Sequence, residues 1–204
     1  MKNIFVTGIG TDVGKTVVSA ILMEALSADY WKPIQSGTYM GTDSITVRNL
    51  VKNESLIVHP EAFSLKQALS PHAAAEAEGI YIDPEKIIIP TSERGIVIEG
   101  AGGILVPLND NFFVVDLIKK FDCEVVLVIQ NYLGSINHSL LSIEALKIRN
   151  ITIKGIVFNG APHKMSEDII LHFSGVKCIG RLALEKNINS DTIQKYAPIF
   201  RENL

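Results

Sequence analysis

The stretch of sequence that decides the fold reads GIGTDVGKT and occupies residues 8–16, directly after an apolar run at 4–7. A glycine-rich loop that leads from a strand into a helix forms a concave anion site, because its backbone N–H groups converge at the helix N-terminus. Lys15 can reach the β- and γ-phosphates of a nucleotide there, and the Thr16 hydroxyl can ligate Mg²⁺. The pattern favours nucleotide binding over a glycine turn that only caps a helix.

The spacing of this loop departs from the usual pattern, which has four residues between its two glycines. That pattern would place a glycine at position 9, where this chain has Ile9, and the first glycine is instead Gly8. The loop is therefore a lengthened variant.

Outward from the loop, short apolar runs alternate with segments of helical period, which predicts an α/β fold with a mostly parallel central sheet and helices on both faces. The predicted strands cover residues 4–7, 30–34, 95–99, 124–130, 153–159 and 176–179. The predicted helices cover residues 15–28, 42–51, 71–78, 84–89, 114–121, 137–148 and 165–173. Residues 53–70 have the weakest period, and we interpret them as irregular surface chain within one domain over residues 1–204.

The composition argues against several classes of protein. The 204 residues include 19 Lys and Arg against 22 Asp and Glu, with no long run of like charges, so neither a nucleic acid nor a membrane surface is expected as a partner. The N-terminus does not resemble a signal peptide, and no apolar run approaches the roughly 20 residues of a membrane span. We expect a cytoplasmic protein with Cys123 and Cys178 as buried free thiols.

Other polar residues follow predicted strands and should meet at the same sheet edge as the loop. Glu99 ends one strand and precedes Gly100-Ala101-Gly102-Gly103, a position from which a carboxylate can hold Mg²⁺. Lys32 and Ser36 could point at the γ-phosphate, although Lys32 taken alone also fits a solvated lysine at a strand edge. Asp43 taken alone also fits a helix cap.

Taken together, these segments resemble the dethiobiotin synthetase family of P-loop NTPases over roughly residues 3–160, and the family shares the lengthened loop. The matching residues are Thr7-Gly8, Thr11, Val13-Gly14-Lys15-Thr16, Lys32-Pro33-Ile34-Gln35-Ser36-Gly37, Asp43, Ser70-Pro71-His72, Glu99-Gly100-Ala101-Gly102-Gly103 and Leu133-Gly134-Ser135-Ile136-Asn137-His138. The resemblance implies a three-layer P-loop NTPase fold. It also implies ATP- and Mg²⁺-dependent ring closure on 7,8-diaminononanoate with CO₂ in biotin biosynthesis, through a carbamate and a carbamic-phosphoric mixed anhydride.

The resemblance also implies the roles of individual residues. Catalysis would fall to Lys32, Lys15 and Thr11, and Mg²⁺ would be held by Thr16, Asp43 and Glu99. The nucleotide would be bound by Asp12, Val13, Gly14, Lys15, Thr16, Val17, Glu99, Gly100, Ala101, Gly102, Asn159 and Gly160. The substrate would be bound by Thr11, Asp12, Ser36, Leu133, Gly134, Ser135, Ile136 and Asn137.

The segment at 133–137 comes from the partner subunit in the family, so the resemblance implies a homodimer with the substrate site at the subunit interface. Without the family, Asn137 fits a helix N-cap and His138 a surface residue of the first turn, the interpretation we prefer for His138.

Two departures from the family lie at the end that would bind the base. Asn159 is followed by Gly160 where the family commonly has Asp, and residues 181–184 read RLAL where the family has a Pro-containing loop. The sequence therefore predicts weak discrimination between ATP and other nucleoside triphosphates.

Three other functions remain as alternatives. A dimeric regulatory ATPase normally has an extra lysine early in the loop, where this chain has Gly10, and its membrane-bound members end in a basic amphipathic helix. Residues 193–204 are only weakly amphipathic and contain Pro198. The other two are a different P-loop enzyme that forms amides or phosphorylates small molecules, and a nucleotide-binding module without turnover.

Overall fold

The computed structural model describes residues 2–204, which form eleven β-strands and seven α-helices. The strands are β1 Ile4–Gly8, β2 Asp29–Trp31, β3 Ile34–Gln35, β4 Val58–His59, β5 Phe63–Ser64, β6 Ile96–Gly103, β7 Pro107–Asn109, β8 Phe112–Phe113, β9 Glu124–Gln130, β10 Ile153–Asn159 and β11 Cys178–Leu182. The helices are α1 Lys15–Leu26, α2 Asp43–Leu50, α3 Pro71–Ala77, α4 Val114–Lys120, α5 Ser135–Ile148, α6 Lys164–Ser174 and α7 Ser190–Asn203.

Seven of these strands form the central sheet, in the order β11-β10-β9-β1-β6-β2-β4. Every pairing in this sheet is parallel, which confirms the predicted α/β class. Because parallel strands share one direction, their carboxyl ends lie along one edge, and the loops after β1, β2, β6, β9 and β10 all open there. The strands β3 and β5 form a separate parallel pair, and β7 and β8 an antiparallel one.

The sheet is covered on both faces, because alternate side chains of each strand point to opposite sides. Val6 of β1 packs with Ile21 of α1 and Phe200 of α7 in one apolar cluster. Phe5 lies in a cluster on the other face with Val115 of α4 and Leu146 of α5. Both faces are buried under apolar side chains, as expected of strands that are nearly continuous apolar runs.

The predicted strand at 30–34 is wrong in its extent. It breaks into β2 and β3 at Lys32-Pro33, because proline has no N–H to donate to a sheet ladder. The Pro33 carbonyl instead accepts bonds from the N–H groups of Ala62 and Phe63, each at 2.9 Å, which starts the pairing of β3 with β5. The break turns the chain away from the sheet just after Lys32.

The interpretation of residues 53–70 as irregular surface chain is also wrong in part. The segment supplies β4 to the edge of the central sheet and β5 to the small sheet. Leu56 and Leu65 within it are buried at 1% and 0% exposure. Strands of two residues are too short for alternation to reveal them in the sequence.

Three further predictions need correction. Residues 84–89 form only a 3₁₀ turn at Pro84–Lys86, whose N-terminus is capped by Asp83. The last strand lies at Cys178–Leu182 rather than 176–179. The C-terminal segment, judged weakly amphipathic, forms α7 with a distinct buried face made by Ile193, Tyr196, Ala197 and Phe200.

Both cysteines are free thiols, but only one of them is buried. Cys123 is buried, and burial raises the pKa of its thiol to about 12. Cys178 is exposed at the start of β11, so its predicted burial is wrong. Across residues 2–204, no helix combines the length and apolar character needed to span a membrane.

Candidate active site

The predicted phosphate-binding loop lies between β1 and α1, at the carboxyl edge of the sheet. Two residues adopt left-handed backbone conformations, Asp12 with φ 58° and Gly14 with φ 95°, and Gly14 caps the N-terminus of α1. Thr11 and Asp12 are exposed, whereas Val13 is buried and anchors the loop to the core. The loop therefore presents its backbone to solvent at a helix N-terminus, which is the geometry of an anion site.

Asn159, at the end of β10, is joined to this loop. Its side-chain amide donates a hydrogen bond of 2.9 Å to the Val13 carbonyl. A Cβ at Gly14 would collide with the same amide, so only glycine fits this position beside Asn159. The loop and the end of β10 are thus brought together, as the sequence predicts for residues that bind one nucleotide.

The second glycine-rich stretch packs against the first. A Cβ on Gly103 would lie 3.4 Å from the Gly8 carbonyl, and one on Gly102 would lie 3.7 Å from the Thr11 hydroxyl. Gly102 also has a left-handed backbone, with φ 65°. Residues 100–103 therefore form one wall of the site that residues 8–14 enclose.

The centre of the site is an ion cluster beneath the loop. Lys32 forms ion pairs with Asp43 and with Glu99, whose Oε1 lies 3.2 Å from Nζ. The Thr16 hydroxyl lies 3.0 Å from Oδ1 of Asp43 and 3.0 Å from Oε1 of Glu99. Lys32 is only 5% exposed, so its interpretation as a solvated edge lysine is wrong. Asp43 is the first residue of α2, and the cap of that helix is Thr42.

The two lysines of the site differ in their electrostatics. Burial lowers the pKa of Lys15, and the negative charge of Glu99 offsets part of that effect. Its Nζ donates a bond of 2.8 Å to the Gly10 carbonyl, so it lies across the phosphate-binding loop. Burial alone would lower the pKa of Lys32, but the charges of Glu99 and Asp43 raise it above its ordinary value. Lys32 is therefore a fixed cation at neutral pH.

The donor set fits Mg²⁺. Thr16, Asp43 and Glu99 offer oxygen atoms, the ligands that Mg²⁺ prefers, and Mg²⁺ normally takes its remaining ligands from water and substrate phosphates. Within the described residues, no group of three or more His, Cys, Asp and Glu side chains is arranged to hold a metal.

Tyr30 and Gln35, to which the sequence assigns no role, position this cluster. The Tyr30 hydroxyl donates a bond of 2.9 Å to Oε2 of Glu99. The Gln35 side chain accepts a bond of 3.0 Å from the Asp43 N–H and donates one of 2.8 Å to the Ser36 carbonyl. The Ser36 hydroxyl itself is buried without a partner in the described chain. Gln35 lies in a matched motif, but its contact with Asp43 could not be read from spacing.

The substrate segment predicted at 133–137 begins α5. Gly134 caps this helix and Ser135 is its first residue, so Asn137 lies in the first turn and its interpretation as the N-cap is wrong. Leu133 is fully exposed and Ile136 is 37% exposed. His138 is exposed in the first turn, as expected, and its Nδ1 lies 2.7 Å from the Tyr132 hydroxyl.

A cavity of about 340 Å³ connects α5 with the loops. Its lining is mostly apolar and includes Ile9, Thr11, Leu105, Val106, His138 and Leu141. The cavity lies beside Thr11 and away from the Lys32 cluster, so it offers an apolar path that leads toward the phosphate-binding loop. Ile9, which stands where the usual loop has a glycine, forms part of its wall.

At the end of the site that the sequence predicts to bind the base, Gly160 has φ 94°, and its N–H donates a bond of 2.9 Å to the Leu182 carbonyl. Arg181 turns toward α6, where it pairs with Glu167 and lies 5.5 Å from the centre of the Phe158 ring. Neither departure from the family pattern thus brings an acidic side chain or a proline to this end.

Comparison with known proteins gives a consistent family. Residues 2–192 match a family model described as an AAA domain. A protein of Cytophaga hutchinsonii named ATP-dependent dethiobiotin synthetase BioD is 54% identical over 97% of this chain and 96% of its own length. Proteins with the same name from Christiangramia forsetii and Chlamydia abortus are 50% and 42% identical, over 100% and 98% of this chain and 98% and 95% of their own lengths.

Solved structures share the fold at much lower identity. The cell division ATPase MinD of Pyrococcus furiosus has a TM-score of 0.63 at 15% identity, covering 99% of each chain. A ParA family ATPase of Chlorobium tepidum has a TM-score of 0.61 at 15% identity, covering 100% of this chain and 97% of its own. These similarities confirm the predicted P-loop NTPase fold.

Proposed function

Since this chain belongs to the family of ATP-dependent dethiobiotin synthetases, we propose that the cluster of Lys32, Asp43, Glu99 and Thr16 is the centre at which it activates its substrate with ATP. The enzyme is an ATP-dependent ligase of biotin biosynthesis that forms carbon–nitrogen bonds. Its substrates are 7,8-diaminononanoate, CO₂ and a nucleoside triphosphate. The observation that carries the proposed site is the buried Lys32 ammonium, paired with two carboxylates directly beneath the phosphate-binding loop.

The reaction we propose has three steps. One amine of the substrate adds to CO₂ and loses a proton, which gives a carbamate. A carbamate oxygen then attacks the γ-phosphorus of ATP, and ADP leaves. Finally the second amine attacks the carbamate carbon and loses a proton, and inorganic phosphate leaves as the cyclic urea closes.

The second step brings two anions together, so it requires positive charge and alignment rather than a strong base. The Lys15 ammonium would contact the β- and γ-phosphates, and the Lys32 ammonium would contact the γ-phosphate and the carbamate. Thr11, Asp12 and Ser36 would line the place where these two groups meet, and the buried, unpartnered Ser36 hydroxyl supports this role. Both lysines are held by contacts within the site, which supports their pre-organisation.

Thr16, Asp43 and Glu99 would hold Mg²⁺, which when bound would neutralise charge on the phosphates. The backbone at 12–17 and 100–102, with Asn159 and Gly160, would bind the nucleotide. The bond from Asn159 to Val13 supports this grouping.

The substrate's distal carboxylate would bind the N-terminus of α5 at residues 133–137 of a second subunit. Exposed apolar side chains at this end, among them Leu133 and Leu141, support a homodimer interface. We also propose a cytoplasmic location, and the two free thiols are consistent with a reducing compartment.

The direct test supplies diaminononanoate, bicarbonate, ATP and Mg²⁺ and detects the cyclic urea by mass. We expect Lys32→Ala to lower the rate by about 100-fold or more, because it removes a charge aimed at the transition state. Lys154→Ala is the control and should retain full activity, since Lys154 forms a partly exposed ion pair with Glu124 at the amino ends of β10 and β9, away from the site.

Circular dichroism of both variants checks that they are folded. Near-normal turnover by folded Lys32→Ala would remove Lys32 from the catalytic residues. Failure of the unmodified enzyme to form the urea would overturn the proposed reaction.

A further inference from the structure

The Glu99 carboxylate lies in an almost completely enclosed environment, with 1% of the residue exposed. Its two oxygens have different partners. Oε1 faces the site, where it lies 3.0 Å from the Thr16 hydroxyl and 3.2 Å from Lys32 Nζ. Oε2 faces away from the site and accepts the 2.9 Å bond from the Tyr30 hydroxyl.

From this division of partners, we propose that Tyr30 is a positioning residue that holds Glu99 in the orientation needed to bind Mg²⁺. The proposal rests on the proposed function of Glu99 as a Mg²⁺ ligand. Tyr30 does not touch the nucleotide or the substrate in this scheme. It acts only by fixing which carboxylate oxygen points into the site.

The sheet register explains why Tyr30 reaches Glu99. Tyr30 of β2 pairs with Val97 of β6, and Glu99 follows two residues later on the same face of β6. The phenol therefore extends along the sheet toward the carboxyl edge and ends at Glu99. Tyr30 is itself 0% exposed and pairs with Val58 on its other side, so its ring is held by strands on both sides.

Nothing else in the described chain replaces this bond. Among residues 2–204, no other group donates a hydrogen bond to Oε2 of Glu99. Without the phenol, a charged oxygen of Glu99 would be buried with no hydrogen-bond partner. Rotation of the carboxylate toward other donors would then lower its free energy.

Groups that orient metal ligands typically change metal affinity 10- to 100-fold when they are removed. The measurement is the affinity for β,γ-methylene ATP, determined by calorimetry once with EDTA and once with Mg²⁺. The dissociation constant in EDTA divided by that in Mg²⁺ is the factor by which Mg²⁺ tightens nucleotide binding, called here the gain from Mg²⁺. We expect Tyr30→Phe to reduce this gain about tenfold. Its affinity in EDTA should match that of the unmodified enzyme, which also checks that the variant is folded.

Tyr196→Phe is the matched control. Tyr196 is also buried, and its hydroxyl also donates to a glutamate, with a 2.6 Å bond to Glu185. Removing this hydroxyl should leave the gain from Mg²⁺ unchanged, because Glu185 is not a proposed metal ligand. A similar loss in both variants would mean that any buried tyrosine hydroxyl affects the gain, and would overturn the proposal.

Glu99→Gln and the double variant Tyr30→Phe/Glu99→Gln separate this proposal from the proposed function. If Tyr30 acts through Glu99, the double variant should lose no more of the gain than Glu99→Gln alone. Additive losses, or a full gain in Tyr30→Phe, would overturn the positioning role while Glu99 remains a ligand. A full gain in Glu99→Gln would instead overturn the proposed metal site itself.

Discussion

At the scale of single residues, the environment of Lys32 decides its chemistry. The sequence left open whether Lys32 is a solvated lysine or part of the site, because exposure depends on packing among β2, β6 and α2. In the structure, Lys32 is buried with Asp43 and Glu99 on either side. Burying a lone ammonium would cost several kcal/mol, so the two carboxylates are what make its position tenable. Tyr30 escaped sequence reasoning for a related reason, since its partner is set by strand register.

Gly14 offers a prediction at this scale. Its left-handed φ costs an alanine about 1–2 kcal/mol, and the added Cβ would also collide with Asn159. We therefore expect Gly14→Ala to lower the free energy of unfolding by at least about 1 kcal/mol, measured by urea titration.

Gly10→Ala in the same loop is the control. A Cβ there would meet no atom within 4 Å, and Gly10 is not among the residues with positive φ. Its free energy of unfolding should change by less than about 0.5 kcal/mol. Equal losses in the two variants would contradict this account of the loop.

At the scale of helices and strands, the long apolar runs were predicted best. The predicted strands at 124–130 and 153–159 coincide with β9 and β10, because strands buried on both faces need continuous apolar sequence. The two-residue strands β4 and β5 have no such pattern and were missed. The apolar face of α7 was underestimated because Pro198 suggested a break, whereas the helix continues through it.

The loops after β10 and β11 carry a prediction about nucleotide choice. Gly160 has no side chain to read a base, and Arg181 is engaged with Glu167 on α6. We therefore expect similar rates with ATP, GTP and CTP at equal concentrations. A preference for ATP above about 100-fold, equivalent to about 2.7 kcal/mol, would contradict it.

At the scale of the whole molecule, the predicted sheet edge is confirmed. Residues 8–16, 32–43 and 99–103, remote in sequence, lie together because their strands are adjacent and parallel. A single domain over residues 1–204 stays a prediction, supported by one sheet whose strands span residues 4 to 182. The order of strands and the contacts of Tyr30 and Gln35 required the tertiary structure, because spacing along the chain does not encode lateral register.

The proposed dimer makes a prediction about mixed subunits. Ile136→Asp places a charge that suits a helix N-terminus but repels the substrate carboxylate, so the variant should fold and be inactive. Co-expression with Lys32→Ala should restore about a quarter of the activity, because half the dimers are mixed and each has one intact site. Ile136→Asn, without the charge, is the control. No restoration on mixing would place the whole site in one subunit.

The pairing of Lys32 with Asp43 and Glu99 also bears on whether the chain needs its ligands in order to fold. Carboxylates grouped at an empty metal site usually repel one another. Here the Lys32 ammonium pairs with both Asp43 and Glu99 and acts as their counter-ion. We therefore expect the chain to fold without Mg²⁺ or nucleotide, because the charges of Asp43 and Glu99 are already balanced in part by Lys32.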